Sequence, residues 1–406
     1  MSSEPSVVGD VSDMPAPQGA KVSGRDIVCV GTAEWDAELR TNQHHLMARL
    51  ARDNNVLFIE SLGLRQPSIS SHDLRRIVKR LRSGVKPPRA VDGLHVLSPL
   101  VIPMHKYAAV RAVNRRLLPW LVQRAAKKLG MSNPVLWAYN PQAEVLIDAL
   151  EPSTLVYHCV DNVGVQRGID SVSFGDAERR FAGAANMVFA SSAPLAQRMS
   201  EISDRVFAMP NVADTERFAH ALEDGTTDPA MAALPHPRIV FVGALVGKKL
   251  DLSLLVGLAR ERPDWSFAFV GPVGLGDTST NLRELRAQPN VHLLGSRTHN
   301  ELPDVLRGAD AGLIPYALNE LTQGIFPMKV YEYLAAGLPV VATPIPSLEG
   351  VEGIDTAPDA KSTAAKLDEL LAGDSPEERR ERSRLALGHS WETRLEEIGA
   401  AFELHG

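Results

Sequence analysis

A lysine and a glutamate three residues apart, Lys329 and Glu332, could together hold a nucleotide. They lie in the stretch F-P-M-K-V-Y-E-Y-L-A-A-G-L-P-V-V-A-T-P, residues 326–344. The spacing places both side chains on one face of a helix. The first amides of a helix have no intrahelical partner and its dipole is positive there, so a lysine beside them favours a phosphate. A carboxylate one turn deeper can accept hydrogen bonds from two ribose hydroxyls. The alternative is an ordinary surface Lys–Glu pair.

A short helix followed by a buried strand must position this pair. Pro327 suits the first helical position, where no N–H is needed. Gly337 stands where a left-handed residue would end the helix, and Pro339 cannot continue it. The apolar run Val340–Thr343 then predicts a buried strand.

Strand patterns that alternate with helical patterns predict an α/β protein with two doubly wound domains. The predicted strands of the first series are Asp26–Gly31, Val56–Glu60, Leu94–Leu97, Pro134–Trp137, Leu155–Val160, Met187–Ala190 and Val206–Met209; those of the second are Arg238–Val242, Trp265–Val270, Val291–Leu294, Ala311–Ile314 and Val340–Thr343. Such alternation indicates parallel sheets covered by helices on both faces. Two such domains in tandem place the carboxyl ends of both sheets across a cleft, where we expect ligands.

The predicted helices lie between these strands and at the end of the chain. They are Thr41–Asp53, Asp73–Leu81, Tyr107–Leu129, Gln142–Leu150, Asp176–Ala185, Pro194–Ile202, Asp251–Glu261, Asn281–Arg286, Glu301–Arg307, Pro327–Ala336, Asp359–Leu371, Pro376–Leu387 and Trp391–Leu404. We expect a disordered tail over 1–22, domains over 23–215 and 216–388, and a terminal helix over 389–406 that packs back on the first domain. A segment rich in glycine and acids, Ala219–Ala233, predicts the linker.

The 406 residues include two cysteines, Cys29 and Cys159, each inside a strand-like run. Two reduced core thiols indicate a cytoplasmic protein. The chain has no run of 18 apolar residues, so we expect no transmembrane helix.

The net charge of −6 hides a basic segment, Arg75–Lys128, with fourteen Lys and Arg residues and one acid, Asp92. Fourteen minus one gives +13, which leaves −19 for the rest of the chain. This concentration favours an anionic membrane surface or an acidic acceptor, and a solvated basic face is the alternative. Nucleic acid is disfavoured because no aromatic-rich binding motif accompanies the charge.

Several motifs that would indicate other chemistry are missing from the sequence. There is no G-x-x-x-x-G-K-[ST] loop and no strand–G-x-G-x-x-G–helix unit, which argues against a dinucleotide cofactor. There is also no H-E-x-x-H, C-x-x-C or D-x-D motif, so we expect no dedicated metal, and no G-x-S-x-G nucleophile elbow.

The ordered set of motifs resembles the retaining GT-B glycosyltransferases of family GT4. The signature P-x-K-x-Y-E-Y-L-A-x-G-x-P-V-V-A-T is similar to the donor-binding stretch of that family, in particular to the branch that includes teichuronic acid biosynthesis glycosyltransferases. Further motifs are R-T-N-Q-H-H-L-M-A-R-L-A (40–51), L-V-Y-H-C-V-D-N (155–162), P-N-V-A-D-T-E-R-F (210–218), F-V-G-A-L (241–245), N-V-H-L-L-G-S-R-T-H-N-E-L-P (290–303) and H-S-W-E (389–392).

The resemblance implies that Glu332 binds the ribose and that Lys329 and the helix start hold the diphosphate. The implied donor-site residues are Gly243, Gly271, Gly324, Ile325, Phe326, Pro327, Met328, Lys329 and Glu332.

Two positions depart from the family. Ala244 stands where an arginine is usual, which leaves Lys248 or Lys249 as the cation unless that pair is a solvated loop. Gly324 replaces the first glutamate of the signature, so amides of 323–326 would contact the sugar, with Glu320 as the less favoured substitute.

In the first domain the resemblance implies residues on the acceptor side. They are Gly31, Glu34, Trp35, Gln43 and His44, with Asn211 as a hinge residue or a plain turn residue. At least one of His44 and His45 is expected to be an ordinary helix residue. His158 and Asp161 end a strand and could orient the donor sugar or the acceptor hydroxyl, or could be ordinary strand-end residues.

The activity that the resemblance implies is transfer of a sugar, with UDP-sugars favoured, to an acceptor hydroxyl with retention of configuration. The enzyme would be a metal-independent hexosyltransferase without a cofactor, and its acceptor would be a glycan, a lipid-linked molecule or a small molecule. Membrane association would go through the basic segment. A GT-B-fold sugar-nucleotide epimerase and a non-catalytic nucleotide-sugar-binding protein are the alternatives.

Overall fold

A computed structural model describes residues 19–61, 87–99, 108–165, 169–277 and 279–406, with side chains of the helix at 108 described from residue 113 onward. The chain divides into two compact units. Unit 1 comprises Met1–Pro210 and Leu395–Gly406, and unit 2 comprises Asn211–Arg394. Both are built on parallel sheets, which confirms the α/β class.

Unit 1 is organised around an eight-stranded sheet. Its strands are β1 (Asp26–Val30), β2 (Asn55–Ile59), β3 (Arg89–Val91), β4 (Leu94–Leu97), β5 (Val135–Ala138), β6 (Thr154–Cys159), β7 (Met187–Ala190) and β8 (Val206–Ala208). Their spatial order is β3-β4-β2-β1-β5-β6-β7-β8. The chain leaves β1 on one side through β2 and returns to its other side with β5, so the topological switch point lies between β1 and β5.

The α-helices described in unit 1 are α1 (Asn42–Leu50), α2 (Ala108–Lys128), α3 (Ile147–Leu150), α4 (Ser171–Ala184) and α5 (Ala193–Ser200). A 3₁₀ turn, Pro141–Leu146, precedes α3 because Asn140 accepts a hydrogen bond from Gln142 N–H and so caps a tight turn. The central strands are buried on both faces, as expected for a parallel sheet. Both cysteines are buried free thiols, and burial raises the pKa of Cys159 to about 12.

Unit 2 contains a six-stranded parallel sheet, whose strands are β9 (Arg238–Val242), β10 (Ser266–Val270), β11 (Val291–Gly295), β12 (Ala311–Ile314), β13 (Val340–Ala342) and β14 (Ile354–Thr356). Their spatial order is β11-β10-β9-β12-β13-β14. Its helices are α6 (Thr215–Ala219), α7 (Pro229–Ala232), α8 (Leu252–Glu261), α9 (Arg283–Arg286), α10 (Leu302–Arg307), α11 (Lys329–Ala335), α12 (Ala360–Ala372) and α13 (Pro376–Leu387). The switch point lies between β9 and β12.

The chain ends in α14 (Trp391–His405), whose residues from Leu395 onward belong to unit 1. The sequence predicts a terminal helix over 389–406 that packs back on the first domain, whereas the first residues of α14, as far as Arg394, belong to unit 2. The division between the units follows Pro210, five residues before the predicted boundary at 215.

The segment Ala219–Ala233, predicted as a linker, is part of unit 2. Met231 is fully buried there, and Asp228 forms an ion pair of 2.7 Å with Arg297. Arg307 donates hydrogen bonds to the carbonyls of His220 and Thr226. Because these partners lie about 70 to 90 residues away in the sequence, the local composition could not reveal that the segment is packed.

Other differences concern short elements and the chain start. Strands β3 and β14 were not predicted because three residues are too few to show a period of two. The predicted helix Asp73–Leu81 lies outside the described residues, as does the predicted tail as far as residue 18. The part of that tail that the structure describes, 19–22, includes buried Ala20 and Val22. No helix in the described ranges combines the length and the apolar character needed to cross a bilayer.

Candidate functional site

Three glycines lie at the carboxyl ends of β9, β10 and β11, and the first of them follows β9, which borders the switch point of unit 2. Gly243, Gly271 and Gly295 have φ of 147°, 146° and 75°, a region that favours glycine. A Cβ on Gly271 would lie 2.1 Å from the carbonyl oxygen of Gly243. The missing side chains therefore let the backbones following β9 and β10 approach each other closely. Ligands of doubly wound sheets bind at this kind of edge.

The side chain of Lys329 lies over Gly243. A Cβ on that glycine would be 2.7 Å from Lys329 Cε and 3.3 Å from Nζ. Lys329 forms no hydrogen bond or ion pair with any other residue that the structure describes, and it is only partly exposed. A half-buried cation without a carboxylate partner can bind an anionic ligand at this edge.

Glu332 follows three residues later on α11 and is 6% exposed. Within the described ranges its carboxylate has no hydrogen-bond donor or cation as a partner. Charged carboxylates are rarely buried without partners because desolvation is costly. The group is thus available to accept hydrogen bonds from a ligand.

Hydrogen bonds at both ends hold α11 in place. The helix starts at Lys329, two residues later than predicted, because the first turn is tight: Tyr331 N–H donates to the Met328 carbonyl at 3.1 Å. At the other end Gly337 has φ of 75°, and the amides of Gly337 and Leu338 donate to Leu334 and Tyr333. This is a Schellman motif, so the predicted role of Gly337 is confirmed.

Tyr333, which the sequence did not single out, attaches α11 to the sheet. Its hydroxyl accepts a hydrogen bond of 2.8 Å from Val242 N–H, and its ring is fully buried. β12 pairs with β9 only at Ala311 and Gly312, so it offers no acceptor to the Val242 N–H. The Tyr333 hydroxyl supplies that acceptor. A Cβ on Gly312 would lie 2.4 Å from the Tyr333 ring, so only glycine fits beneath it. The position of Lys329 over Gly243 depends on these contacts of Tyr333, because they attach α11 to the sheet.

The loops after β9, β10 and β12 are bonded to one another. Leu245 N–H donates to the Pro272 carbonyl, and Asn319 Nδ2 donates to the Lys248 carbonyl at 3.0 Å. Lys248 also acts electrostatically on Asp277, whose pKa is lowered chiefly by a hydrogen bond from Ser279. Lys248 is thereby drawn to a carboxylate of its own unit. The Lys249 ammonium has no such partner among the described residues and is the better candidate for a ligand.

The segment before α11 is fixed through its carbonyls. Asn211 Nδ2 donates to the Phe326 carbonyl at 2.8 Å, and Ser347 Oγ donates to the Ile325 carbonyl at 2.5 Å. Gly324 and Pro327 are buried beside them. Asn211 therefore orients the backbone before α11. The sequence predicts a hinge residue or a plain turn residue at this position and does not indicate this contact.

In unit 1 the switch point is occupied by Gly31 and Gln43. A Cβ on Gly31 would lie 2.4 Å from the Phe58 ring and 2.6 Å from Gln43 Oε1. Gln43 Oε1 accepts from Thr32 N–H at 2.9 Å, so its amide fixes the loop after β1. Tyr139, at the end of β5, donates its hydroxyl to Asn42 Oδ1 at 3.0 Å. The sequence missed this tyrosine because the pairing spans 97 residues.

His44 holds the start of α1. Its Nδ1 accepts the Thr41 N–H at 3.0 Å, so its Nε2 carries the proton and donates to the Glu34 carbonyl at 3.0 Å. Together with the Thr41 side chain this forms a capping box. Trp35 packs on the His44 ring, and its backbone N–H donates to Glu60 Oε1 at 2.8 Å.

The pH dependence of stability should report the role of His44. Its pKa is lowered, chiefly because burial disfavours the charged ring. The unfolded chain therefore binds the proton first, and the stability that neutral His44 contributes is complete above about pH 6.5 and declines as the pH falls. His44→Gln keeps a capping-box residue and removes the titration. Between about pH 8 and pH 5.5 the melting temperature of the wild type should fall more than that of His44→Gln. Equal falls would contradict this.

The last two candidates of unit 1, His158 and Asp161, lie in different surroundings. His158 is 2% exposed and lies among the rings of Trp137, Tyr139 and Phe189. Asp161 is partly exposed in the turn after β6, and its carbonyl accepts from Val163 N–H. A catalytic role for either stays a prediction, and an enclosed ring favours packing for His158.

Residues 236–373 match the family model described as Glycosyl transferases group 1. The matched range lies within unit 2. The glycines at the strand ends, Lys329 and Glu332 all lie within this segment. A Bacillus subtilis (strain 168) protein named as a teichuronic acid biosynthesis glycosyltransferase, TuaH, is 40% identical over 108 residues. The match covers 26% of this chain and 26% of that relative, so the chain spans about a quarter of the curated relative's length.

Solved structures resemble nearly the whole chain. Anabaena Alr3699/HepE in complex with UDP has a TM-score of 0.64 at 14% identity, covering 94% of this chain and 100% of that one. Sucrose-phosphate synthase from Thermosynechococcus elongatus has a TM-score of 0.66 at 15% identity, covering 94% and 98%. These similarities concern the fold alone, and they confirm the predicted GT-B fold.

Proposed function

We propose that this protein is a retaining glycosyltransferase that uses a nucleotide-diphosphate sugar, with UDP-sugars favoured. One observation carries the proposal. Inside the range that matches the group 1 glycosyltransferase model, Lys329 and the buried carboxylate of Glu332 lie on one helix beside Gly243, and neither has a partner among the described residues. A diphosphate and a ribose would supply the partners that both groups lack. The UDP bound to Alr3699/HepE supports the choice of base.

In this mechanism Lys329 binds the diphosphate and stabilises the charge that develops as it leaves. Lys249 is the second cation, since Ala244 supplies none. Fixed cations near the leaving group act mainly in the transition state, which raises turnover. Glu332 holds the ribose. The acceptor proton passes to the departing phosphate, so no protein base is assigned.

The acceptor is a hydroxyl of a glycan, a lipid-linked molecule or a small molecule. The relative's name supports synthesis of a cell-surface polysaccharide. We assign acceptor binding to Gly31, Glu34 and Trp35 in the loop after β1 and to Gln43 at the start of α1. We also propose that the enzyme belongs to family GT4 and that it requires no metal.

The test is a donor panel combined with Glu332→Gln. UDP-, GDP- and dTDP-sugars are assayed for transfer and hydrolysis, and nucleotide binding is measured by calorimetry. A hydrogen bond to a charged group contributes about 1.5–3 kcal/mol, so UDP should bind about 10- to 100-fold more weakly to the variant. Glu349→Gln removes the same charge at an exposed position of unit 2 and should bind UDP like the wild type.

Other outcomes select the alternatives. Binding of a nucleotide without consumption of any donor indicates a non-catalytic binding protein. Epimerised donor in the absence of an acceptor indicates the epimerase. If no nucleotide binds at all, the assignment of Lys329 and Glu332 to a donor site is wrong.

A further inference from the structure

Helix α2 presents a continuous basic and apolar stripe to solvent. Its exposed residues include Val113, Arg116, Trp120, Arg124, Lys127 and Lys128. Their spacing of three or four residues places them on one side of the helix. We call this set the α2 stripe.

The opposite side of α2 is the one that packs. Leu118, Val122, Ala125 and Ala126 are buried in the core of unit 1, and Gln123 donates to the Ala149 carbonyl at 2.8 Å. The helix is thus held by one face, and the α2 stripe remains outside. Packing of the core does not explain the apolar residues of the stripe, since they lie on the other side.

Trp120 is the unusual member. It is 57% exposed, while Trp35, Trp137, Trp265 and Trp391 are 3% exposed or less. Val113, two turns earlier on the same side, is 48% exposed. Exposing large apolar side chains to water is unfavourable, so such a pair within a charged stripe indicates a binding surface.

Among the residues that the structure describes, no carboxylate pairs with the cations of the stripe. The sequence of α2, A-A-V-R-A-V-N-R-R-L-L-P-W-L-V-Q-R-A-A-K-K, contains no acid. Arg116, Lys127 and Lys128 form no ion pair with any described residue, and Arg124 lies 5.9 Å from the centre of the Trp120 ring. Trp120, Gln123, Arg124, Lys127 and Lys128 line an open depression of about 470 Å³.

We infer that the α2 stripe binds an anionic lipid bilayer, with Trp120 seated at the level of the headgroups. The unpaired cations complement phosphodiester headgroups. Trp120 and Val113 favour a bilayer over a soluble polyanion, because only the bilayer offers an apolar region beneath the charges. This inference goes beyond the proposed function, and a failed donor assay would leave it standing.

Tryptophan fluorescence can follow this contact in the full-length protein. Because the other four tryptophans are buried, a change in emission on adding vesicles reports chiefly on Trp120. The probes are vesicles of phosphatidylcholine with about one third phosphatidylglycerol and vesicles of phosphatidylcholine alone, at about 50 mM and 500 mM NaCl. We expect a blue shift and quenching by brominated lipid only with the anionic vesicles at low salt. Trp120→Phe should lose the signal.

Charge variants test whether the stripe itself binds. Each basic residue near an anionic surface contributes about fivefold in affinity, so Lys127→Glu/Lys128→Glu should weaken co-sedimentation by at least about 25-fold. The matched control is Arg380→Glu/Arg384→Glu, which changes the net charge equally at exposed positions of α13 and should bind like the wild type. Circular dichroism confirms that both variants fold.

Three results would overturn the inference. The first is absence of binding to anionic vesicles at low salt. The second is equal binding by Lys127→Glu/Lys128→Glu and the wild type, which would place the contact elsewhere. The third is binding to a soluble polyanion such as polyphosphate as strong as to the vesicles, with no quenching by brominated lipid.

Discussion

Replacing Lys329 by methionine is expected to lower the turnover number about 10²- to 10³-fold, the usual effect of removing one group that stabilises transition-state charge. Methionine keeps most of the side-chain volume over Gly243, so the contact with that glycine persists while the ammonium is lost. Because the charge of the diphosphate grows as the sugar departs, kcat should fall more than KM rises. The measurement is steady-state transfer with the donor that the panel selects.

A matched variant separates this effect from a general loss of charge. Lys361→Met removes an ammonium at an exposed position of α12 in the same unit and should leave kcat unchanged. The melting temperature of Lys329→Met should stay close to that of the wild type, since Lys329 has no ion pair within the described residues. A variant that keeps more than about a third of its kcat would exclude Lys329 from the charge-stabilising role.

The sequence predicts those features of this site that depend on residues close together in the chain. The side of α11 that carries Lys329 and Glu332 follows from the helical period, and the end of α11 follows from Gly337. All strands of both sheets except β3 and β14 could be predicted, because buried parallel strands are short apolar runs. The resemblance to GT-B enzymes then pointed to Gly243 and Gly271.

The rest depends on contacts between distant residues. The hydrogen bond from Val242 to Tyr333 spans 91 residues, and the Phe326 carbonyl is held by Asn211 across 115 residues. Nothing in either local pattern indicates these partners. The segment Ala219–Ala233 has the composition of a loop, but ion pairs and burial supplied by other elements make it part of unit 2.

Alanine substitution at the three glycines of the sheet edge should separate three physical effects. A Cβ on Gly295 has nothing within 4 Å, so Gly295→Ala adds only backbone strain of about 1–3 kcal/mol at positive φ. Gly243→Ala adds similar strain and also displaces the end of the Lys329 side chain, which can move away at little cost. Gly271→Ala places its methyl group 2.1 Å from the Gly243 carbonyl oxygen, which belongs to the backbone and cannot move aside.

We therefore expect Gly271→Ala to lower the melting temperature most and to reduce soluble yield. Gly243→Ala should be about as stable as Gly295→Ala but lose transfer activity about as severely as Lys329→Met. The double variant Gly243→Ala/Lys329→Met decides the cause. If the methyl group acts by displacing the ammonium, the double variant should be no less active than Lys329→Met alone. The reason is that Lys329→Met has already removed the ammonium that Gly243→Ala would displace. Additive losses would mean that Gly243 serves the ligand directly, by letting it approach the backbone, and that Lys329 contributes separately.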